Sequence, residues 1–327
     1  MKEPARQVRQ RYVCVRAPQS LRVDGDLSKP AWREATWTAD FVDIEGDARP
    51  KPRLRTRAKM MWDDECLYIG AEMDEPDLWG TLTQRDSVIF HDNDFEVFLN
   101  PTGDSHEYYE LEVNALNTVW DLFLPKPYKD GGQADNGWDA AGLRTAVRLD
   151  GTLNDPRDRD RGWSVEIAMP WRSFDRHGDR RAAAPREGDQ WRMNFSRVEW
   201  DLEVVEGDDG RPEYRKVVGR PEHNWVWSPQ GVIDMHRPEM WGYVQFGGGA
   251  FVDDGSGAAR ERLHAAYYAQ RRHRAEFGRW LEPGEVGVEG VGMASVGEGW
   301  RAWTEFVDSR GARQRAWISD DARAWVQ

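Results

Sequence analysis

Cysteine is nearly absent: Cys14 and Cys66 are the only two in 327 residues, and neither a Cys-x-x-Cys nor a Cys/His zinc spacing occurs. Both lie in strand-like text, YVCVR and CLYIG, which reads as two buried thiols, with one disulfide as the alternative. No run approaches the roughly 18 apolar residues of a membrane span. Positive charge is also scarce. The chain has 45 Lys+Arg against 58 Asp+Glu, a formal charge of −13, which argues against nucleic acid and anionic membrane surfaces as partners. The opening MKEPARQVRQRYVCVRAP lacks the apolar segment of a signal peptide, so none is expected. As it stands the chain reads as cytoplasmic, and as extracellular or periplasmic if the true start lies upstream. Gly-x-Ser-x-Gly, His-Glu-x-x-His, P-loop and strand-linked Gly-x-Gly-x-x-Gly patterns are all missing. The Gly-rich VGVEGVGMASVGEG has the wrong spacing for a dinucleotide.

Tryptophan, by contrast, is abundant, at 18 residues. Most must fill core, and the surplus suggests that one or two serve as stacking platforms. Trp32, Trp37, Trp163, Trp171, Trp191 and Trp241 sit against strands or turns and are expected inside. Trp79, on a loop, and Trp225 or Trp227 in HNWVWSPQG are the candidate platforms.

Strand text recurs with turn signals up to residue 247 and no long helical period intervenes. AKMMW and CLYIGAEM flank the polar turn Asp63-Asp64-Glu65 and read as a hairpin. DFEVFLNP, EYYELEVNALNTVWDLFL, RGWSVEIAMPW, QWRMNFSRVEW and WGYVQF continue the alternation. The pattern predicts an all-β protein, an antiparallel β-sandwich over 18–247 after an N-terminal extension (1–17). A Gly-rich linker (248–256) leads to a small α+β appendage (257–327), one helix and three short strands. At about 70 residues it is near the lower limit for independent folding, so it is expected to lean on the sandwich or on a partner.

The chemistry concentrates in two strands. In DFEVFLNP, Phe95, Val97 and Leu99 point one way and Asp94, Glu96 and Phe98 the other. In YYELEVNA, Tyr109, Leu111 and Val113 share one face; Tyr108, Glu110, Glu112 and Asn114 share the opposite one. Paired through PTGDSHE, the strands would gather Asp94, Glu96, Glu110, Glu112 and Asn114 on one face, with Arg85 entering from the preceding loop. Trp120 and Tyr128 follow closely. The bland alternative is a solvated sheet face. A sugar would suit the face better, because carboxylates, Asn and Arg bond vicinal hydroxyls while Trp or Tyr stacks on the ring. Two other chemistries stay open. Oxygen-rich runs at 91–94 and at Asp24, Asp26 and Asp63 could hold calcium, and paired carboxylates are the minimum for glycoside hydrolysis.

The order LRVDGDLSKPAW, KMMWDDECLYIGAEMDEPDLW, DNDFEVFLNP, EYYELEVNALNTVWDLFL, GWSVEIAMPW, QWRMNFSRVEW, WGYVQF resembles the family 9 carbohydrate-binding modules. Within these, it is most similar to the stand-alone bacterial family-9-like proteins, over roughly residues 18–247. The resemblance implies a β-sandwich holding a sugar between two tryptophans, with structural calcium. It matches Asp94 and Glu96 to the family's acidic strand, Arg85 to its sugar-facing arginine, Trp227 to the second tryptophan and Trp79 or Trp62 to the first. The expected function is non-catalytic binding of a mono- or oligosaccharide, or of a polysaccharide chain end, in carbohydrate metabolism. A glycoside hydrolase, or an interaction protein using residues 257–327, is the alternative.

Overall fold

The computed structural model describes residues 2–174 and 183–327. Its first fourteen strands are β1 (Arg11–Arg16), β2 (Val42–Asp43), β3 (Thr56–Trp62), β4 (Cys66–Asp74), β5 (Asp94–Asn100), β6 (Tyr108–Asn114) and β7 (Val119–Leu124). Then follow β8 (Arg144–Asp150), β9 (Gly162–Pro170), β10 (Gln190–Glu199), β11 (Leu202–Glu206), β12 (Pro212–Lys216), β13 (His223–Val226) and β14 (Gly242–Phe246). Helix α1 (Gly257–Phe277) precedes β15 (Gly292–Val296), β16 (Gly299–Val307), β17 (Arg313–Ser319) and β18 (Ala324–Val326).

The β3–β4 hairpin forms where the sequence places it. The Asp63 carboxylate accepts the Glu65 and Cys66 N–H groups, each at 2.8 Å, an aspartate-centred turn that fixes the register Trp62↔Leu67. The large sheet runs β7-β6-β5-β10-β14-β1-β3-β4-β9-β8, with β13 and β2 attached beside β10. Its two halves enclose one apolar core. Val97, Leu111 and Phe195 come from one half, Ile69, Val165 and Ile167 from the other.

The fold is mostly β, as expected, but the all-antiparallel expectation fails at β1. Residues Arg11–Cys14 pair parallel to β14, and Val15–Arg16 then pair parallel to β3. No hairpin joins β1 to either neighbour, so nothing imposes the antiparallel direction. This segment, read from sequence as an extension, is the strand that passes from one half of the sheet to the other. Cys14 lies in the main core, and both cysteines are buried and free.

The C-terminal residues make α1 and an antiparallel four-stranded meander, β15-β16-β17-β18, one strand more than expected. The helix ends at Phe277, with Gly278 as its left-handed cap at φ 73°. Leu263 and Tyr267 pack on Trp300 and Ile318 in a separate small core. The unit leans on the main body through side-chain and backbone hydrogen bonds. Tyr267 donates to Asp130 at 2.5 Å, Arg237 donates to the Tyr268 hydroxyl at 2.8 Å, and the Ala324 N–H donates to the Asp104 carbonyl at 2.9 Å.

Gly242 is the tightest point of the tryptophan core. A Cβ there would meet the Trp227 ring at 2.5 and 2.7 Å and the Gln10 carbonyl at 3.1 Å. Since that ring is enclosed by Tyr12 and Phe195, it has nowhere to retreat. Gly242→Ala is expected to cost about 1–3 kcal/mol by urea unfolding. An unchanged midpoint would mean that the ring is loosely held.

Candidate functional site

Strand alternation builds the site. On β5 and β6, Phe95, Val97, Leu99, Tyr109, Leu111 and Val113 enter the core, which turns Glu96, Glu110 and Glu112 to the other face. Register then lines them up. Trp120, Glu112, Glu96 and Ser196 form one row across β7, β6, β5 and β10, and Leu122, Glu110, Phe98 and Asn194 form the next. The predicted gathering of Glu96, Glu110 and Glu112 is what the structure shows.

These carboxylates open into a cleft of about 430 Å³, within the range of small-ligand sites. Its aromatic wall is Phe90, Trp120, Tyr128 and His236. Phe90 and Trp120 lie 6.4 Å apart with planes 32° from parallel, and Tyr128 is 46% exposed. The Trp120 indole N–H donates to Asn136 at 3.2 Å, which holds the ring in place. His236 accepts from or donates to the Tyr108 hydroxyl at 2.9 Å and stands 4.0 Å from Glu110. Glu222, Asn224, Asp234 and Arg237 complete the polar rim, with Arg237 donating to the Asp234 carboxylate at 2.6 Å.

The electrostatics are unusual. Oxygens of Asp94, Glu96 and Glu112 come within 4.8 Å of one another, all three residues are buried, and one oxygen each of Asp94 and Glu96 has no hydrogen-bond partner. Burial, and then mutual repulsion, pushes the Asp94, Glu110 and Glu112 carboxyls well above the ordinary range. Glu96 is pushed up to about 7, chiefly by burial. Burial also lowers His236 to about 4, so its imidazole is neutral and supplies no countercharge. The cluster therefore shares protons near neutral pH and presents both O–H donors and carboxylate acceptors.

Several expected site residues lie elsewhere. Trp227 is 1% exposed and wedged between Tyr12 and Phe195 in the main core; it has no free face for a sugar. Trp62 is equally buried, and Trp79 is 7% exposed beside the Lys216 ammonium, 5.6 Å from its ring. Neither borders the cleft. Arg85 bonds Asp121 and Asp139. Because Asp121 alternates with Trp120 and Leu122 along β7, this pairing turns the guanidinium away from the carboxylate row. Asn114 is buried and spends its amide on the Leu82 carbonyl and Asp92, at 2.8 and 3.0 Å. Asp94 sits behind the row, accepting from the Val198 N–H at 3.2 Å.

The expected calcium ligands Asp24, Asp26 and Asp63 do not converge on one point. Asp24 binds Lys29 and the Asp26 N–H, Asp26 binds Ser28, and Asp63 accepts from Glu65, Cys66 and Tyr68. With these acceptors committed, and none of the three among the described groups that converge, they form no shared cradle. Phe90 and His236 were missed from sequence. Phe90 stands six residues before Glu96, a period-2 signal broken by the short 3-10 turn Ile89–His91. His236 comes from a distant loop and left no signal.

For Glu96 the folded value of about 7 exceeds the ordinary 4.5. Its contribution is thus fully present below pH 4.5 and is lost as pH rises towards 7. Glu96→Gln is expected to gain stability relative to wild type between pH 5 and 7.5, by up to about 3 kcal/mol. Urea unfolding at the two pH values tests this; an identical difference at both would remove the buried-carboxyl reading.

Comparison with known proteins places these features in context. The family model "Carbohydrate family 9 binding domain-like" matches residues 23–203. Exoglucanase XynX of Acetivibrio thermocellus is 29% identical over 118 residues, which are 36% of this chain and only 9% of the exoglucanase. A family 9 carbohydrate-binding module from Caldicellulosiruptor kristjanssonii, solved with cellotriose, is 18% identical, covering 74% of this chain and 95% of its own, at TM-score 0.46. A candidate carbohydrate-binding protein of Bacteroides uniformis ATCC 8492 is similar in fold, with 15% identity, coverage of 72% and 99%, and TM-score 0.52.

Proposed function

The chain belongs to the carbohydrate family 9 binding-domain-like proteins, and from that premise we propose that it binds a mono- or oligosaccharide, or a chain end, in the cleft above β5, β6 and β7, without turnover. The single observation that carries this reading is the row Trp120–Glu112–Glu96. It puts a half-exposed indole face beside buried carboxyl groups, one of which keeps an unpartnered oxygen. A pyranose laid on Trp120 or Phe90 would contribute apolar C–H contact. Its hydroxyls would bond the cleft-lining carboxyl groups of Glu96, Glu110 and Glu112, and a hydrogen bond to a charged group is worth about 1.5–3 kcal/mol.

In this reading Glu96, Glu110 and Glu112 select hydroxyl geometry, and His236, held by its bond to the Tyr108 hydroxyl, walls the cleft beside Glu110. The stacking residues are Trp120, Phe90 and Tyr128, in place of the tryptophan pair expected from sequence. Affinity for one sugar is modest, because a small ligand buries little area against the fixed cost of association. Such binding would serve oligosaccharide or polysaccharide metabolism. The same carboxyl cluster is also what hydrolysis would require, so the experiment includes product analysis.

Isothermal titration with glucose, cellotriose and a wider panel, with and without calcium, tests the assignment. Saturable heat without new reducing ends is expected, and Trp120→Ala should weaken binding by about tenfold or more. Heat that is unchanged in Trp120→Ala would move the site elsewhere. Release of shorter sugars would establish a hydrolase.

A further inference from the structure

A second cavity, of about 760 Å³, lies at the seam where the N-terminal segment, the large sheet and α1 meet. In a chain of net charge −13, its wall carries five arginines, at 6, 9, 11, 192 and 260, against two carboxylates, Glu239 and Glu261. Arg9 and Arg192 both donate to the Glu239 carbonyl, at 3.1 and 2.9 Å, so their guanidinium groups converge on one oxygen. From the helix, Gly257, Arg260, Glu261 and His264 face the cavity; their spacing of three, four and seven residues is a single helical face.

The charges are not balanced by the protein. Arg6 and Arg9 share Glu261, Arg11 pairs with Asp253, and Glu239 is taken up by Tyr268 and Lys129. Among the described residues, Arg192 and Arg260 have no carboxylate within ion-pair distance. Arg192 is 6% exposed and its Nε has no partner; the Nδ1 of His264, at 7% exposed, has none either. Burial, reinforced by Arg9 and Arg260, brings Arg192 down to about 10. Arg192 donates to the Pro238, Glu239 and Trp241 carbonyls and Arg260 to the Ser256 hydroxyl and the Gly103 carbonyl, so two guanidinium groups without a carboxylate, an unsatisfied buried N–H and the first turn of a 21-residue helix surround one space. Helix N-termini and planar, bidentate guanidinium groups both suit tetrahedral oxyanions.

We propose that this seam cavity binds the phosphoryl group of a small phosphate compound. Two positive charges with no carboxylate partner match a phosphate dianion, and the space beyond a single phosphate accommodates an organic substituent. The site is separate from the saccharide cleft and does not depend on that assignment.

Thermal unfolding and isothermal titration of the full chain with inorganic phosphate test it, at ionic strength matched with chloride. A saturable rise in Tm is expected with phosphate, and Arg260→Gln or Arg9→Gln should weaken binding by about tenfold or more, while Trp120→Ala leaves it unchanged. A hexose monophosphate that binds tighter than phosphate identifies an organic ligand; equal affinity identifies the free ion. No shift beyond that of chloride, equal shifts in the arginine variants, or binding of glucuronate in preference to phosphate would each overturn the proposal.

Discussion

Side chains on a β-strand must alternate between two faces, and on β5 and β6 this rule couples the core to the cleft. The core needs Val97, Leu99, Leu111 and Val113, so Glu96, Glu110 and Glu112 have no choice of direction. That opposite face is itself largely covered. Phe98, Tyr108 and Leu122 pack beneath Ile44, Met235 and Trp241 in a second apolar cluster. The carboxyl groups therefore stand at the margin between a dry layer and an open cleft. Desolvation follows from where the strand puts them, and the shared protons follow from desolvation.

At two other buried sites the same protein pairs its charge. Arg197, also on β10, is fully enclosed, yet it donates to Glu75 and Glu199 at 2.8 Å each and to Thr56 at 3.1 Å. Glu166 receives Lys29, the Trp32 indole and the Asp24 and Gly25 N–H groups. Leaving a buried charge without a partner costs several kcal/mol, and nearby strands show that the fold can avoid this cost. The unpartnered oxygen of Glu96 belongs to the cleft wall, and that of Asp94 lies just behind it. A polyhydroxylated ligand supplies the kind of hydrogen-bond donors that such a wall leaves free.

The strands, the β3–β4 turn and the two faces of β5 and β6 were legible because each depends on local alternation or a local turn. So was the burial of most tryptophans. Which tryptophan stays accessible was not legible, because it depends on what packs over the ring. Trp227 looked like a loop platform, but its N–H pairs with the Phe195 carbonyl at 3.0 Å and its ring fills the gap left by Gly242. Arg85 was near the right strands in sequence, yet the parity of Asp121 on β7 sends it to the other side. Parallel pairing of β1 could not be read either, since its partners are more than 40 and 200 residues away. The resemblance carried the family correctly and carried the tryptophan pair less well, because loops change faster than strands.

The C-terminal unit shows the same division between a face that packs and a face left for chemistry. Leu263 and Tyr267 of α1 belong to the small core with Trp300 and Ile318, while the hydroxyl groups of Tyr267 and Tyr268 reach across to Asp130 and Glu239 of the main body. Those bonds fix the helix against the sheet at the level of its middle turns. Its first turn then projects towards Arg192 and the N-terminal segment, and positive groups that repel one another are held at close range. A unit of about 70 residues, near the lower limit for independent folding, gains stability from this docking. The docking in turn shapes the arginine-lined seam, and it holds the Glu239 carboxylate at its edge beside Tyr268 and Lys129, with one oxygen left unpartnered.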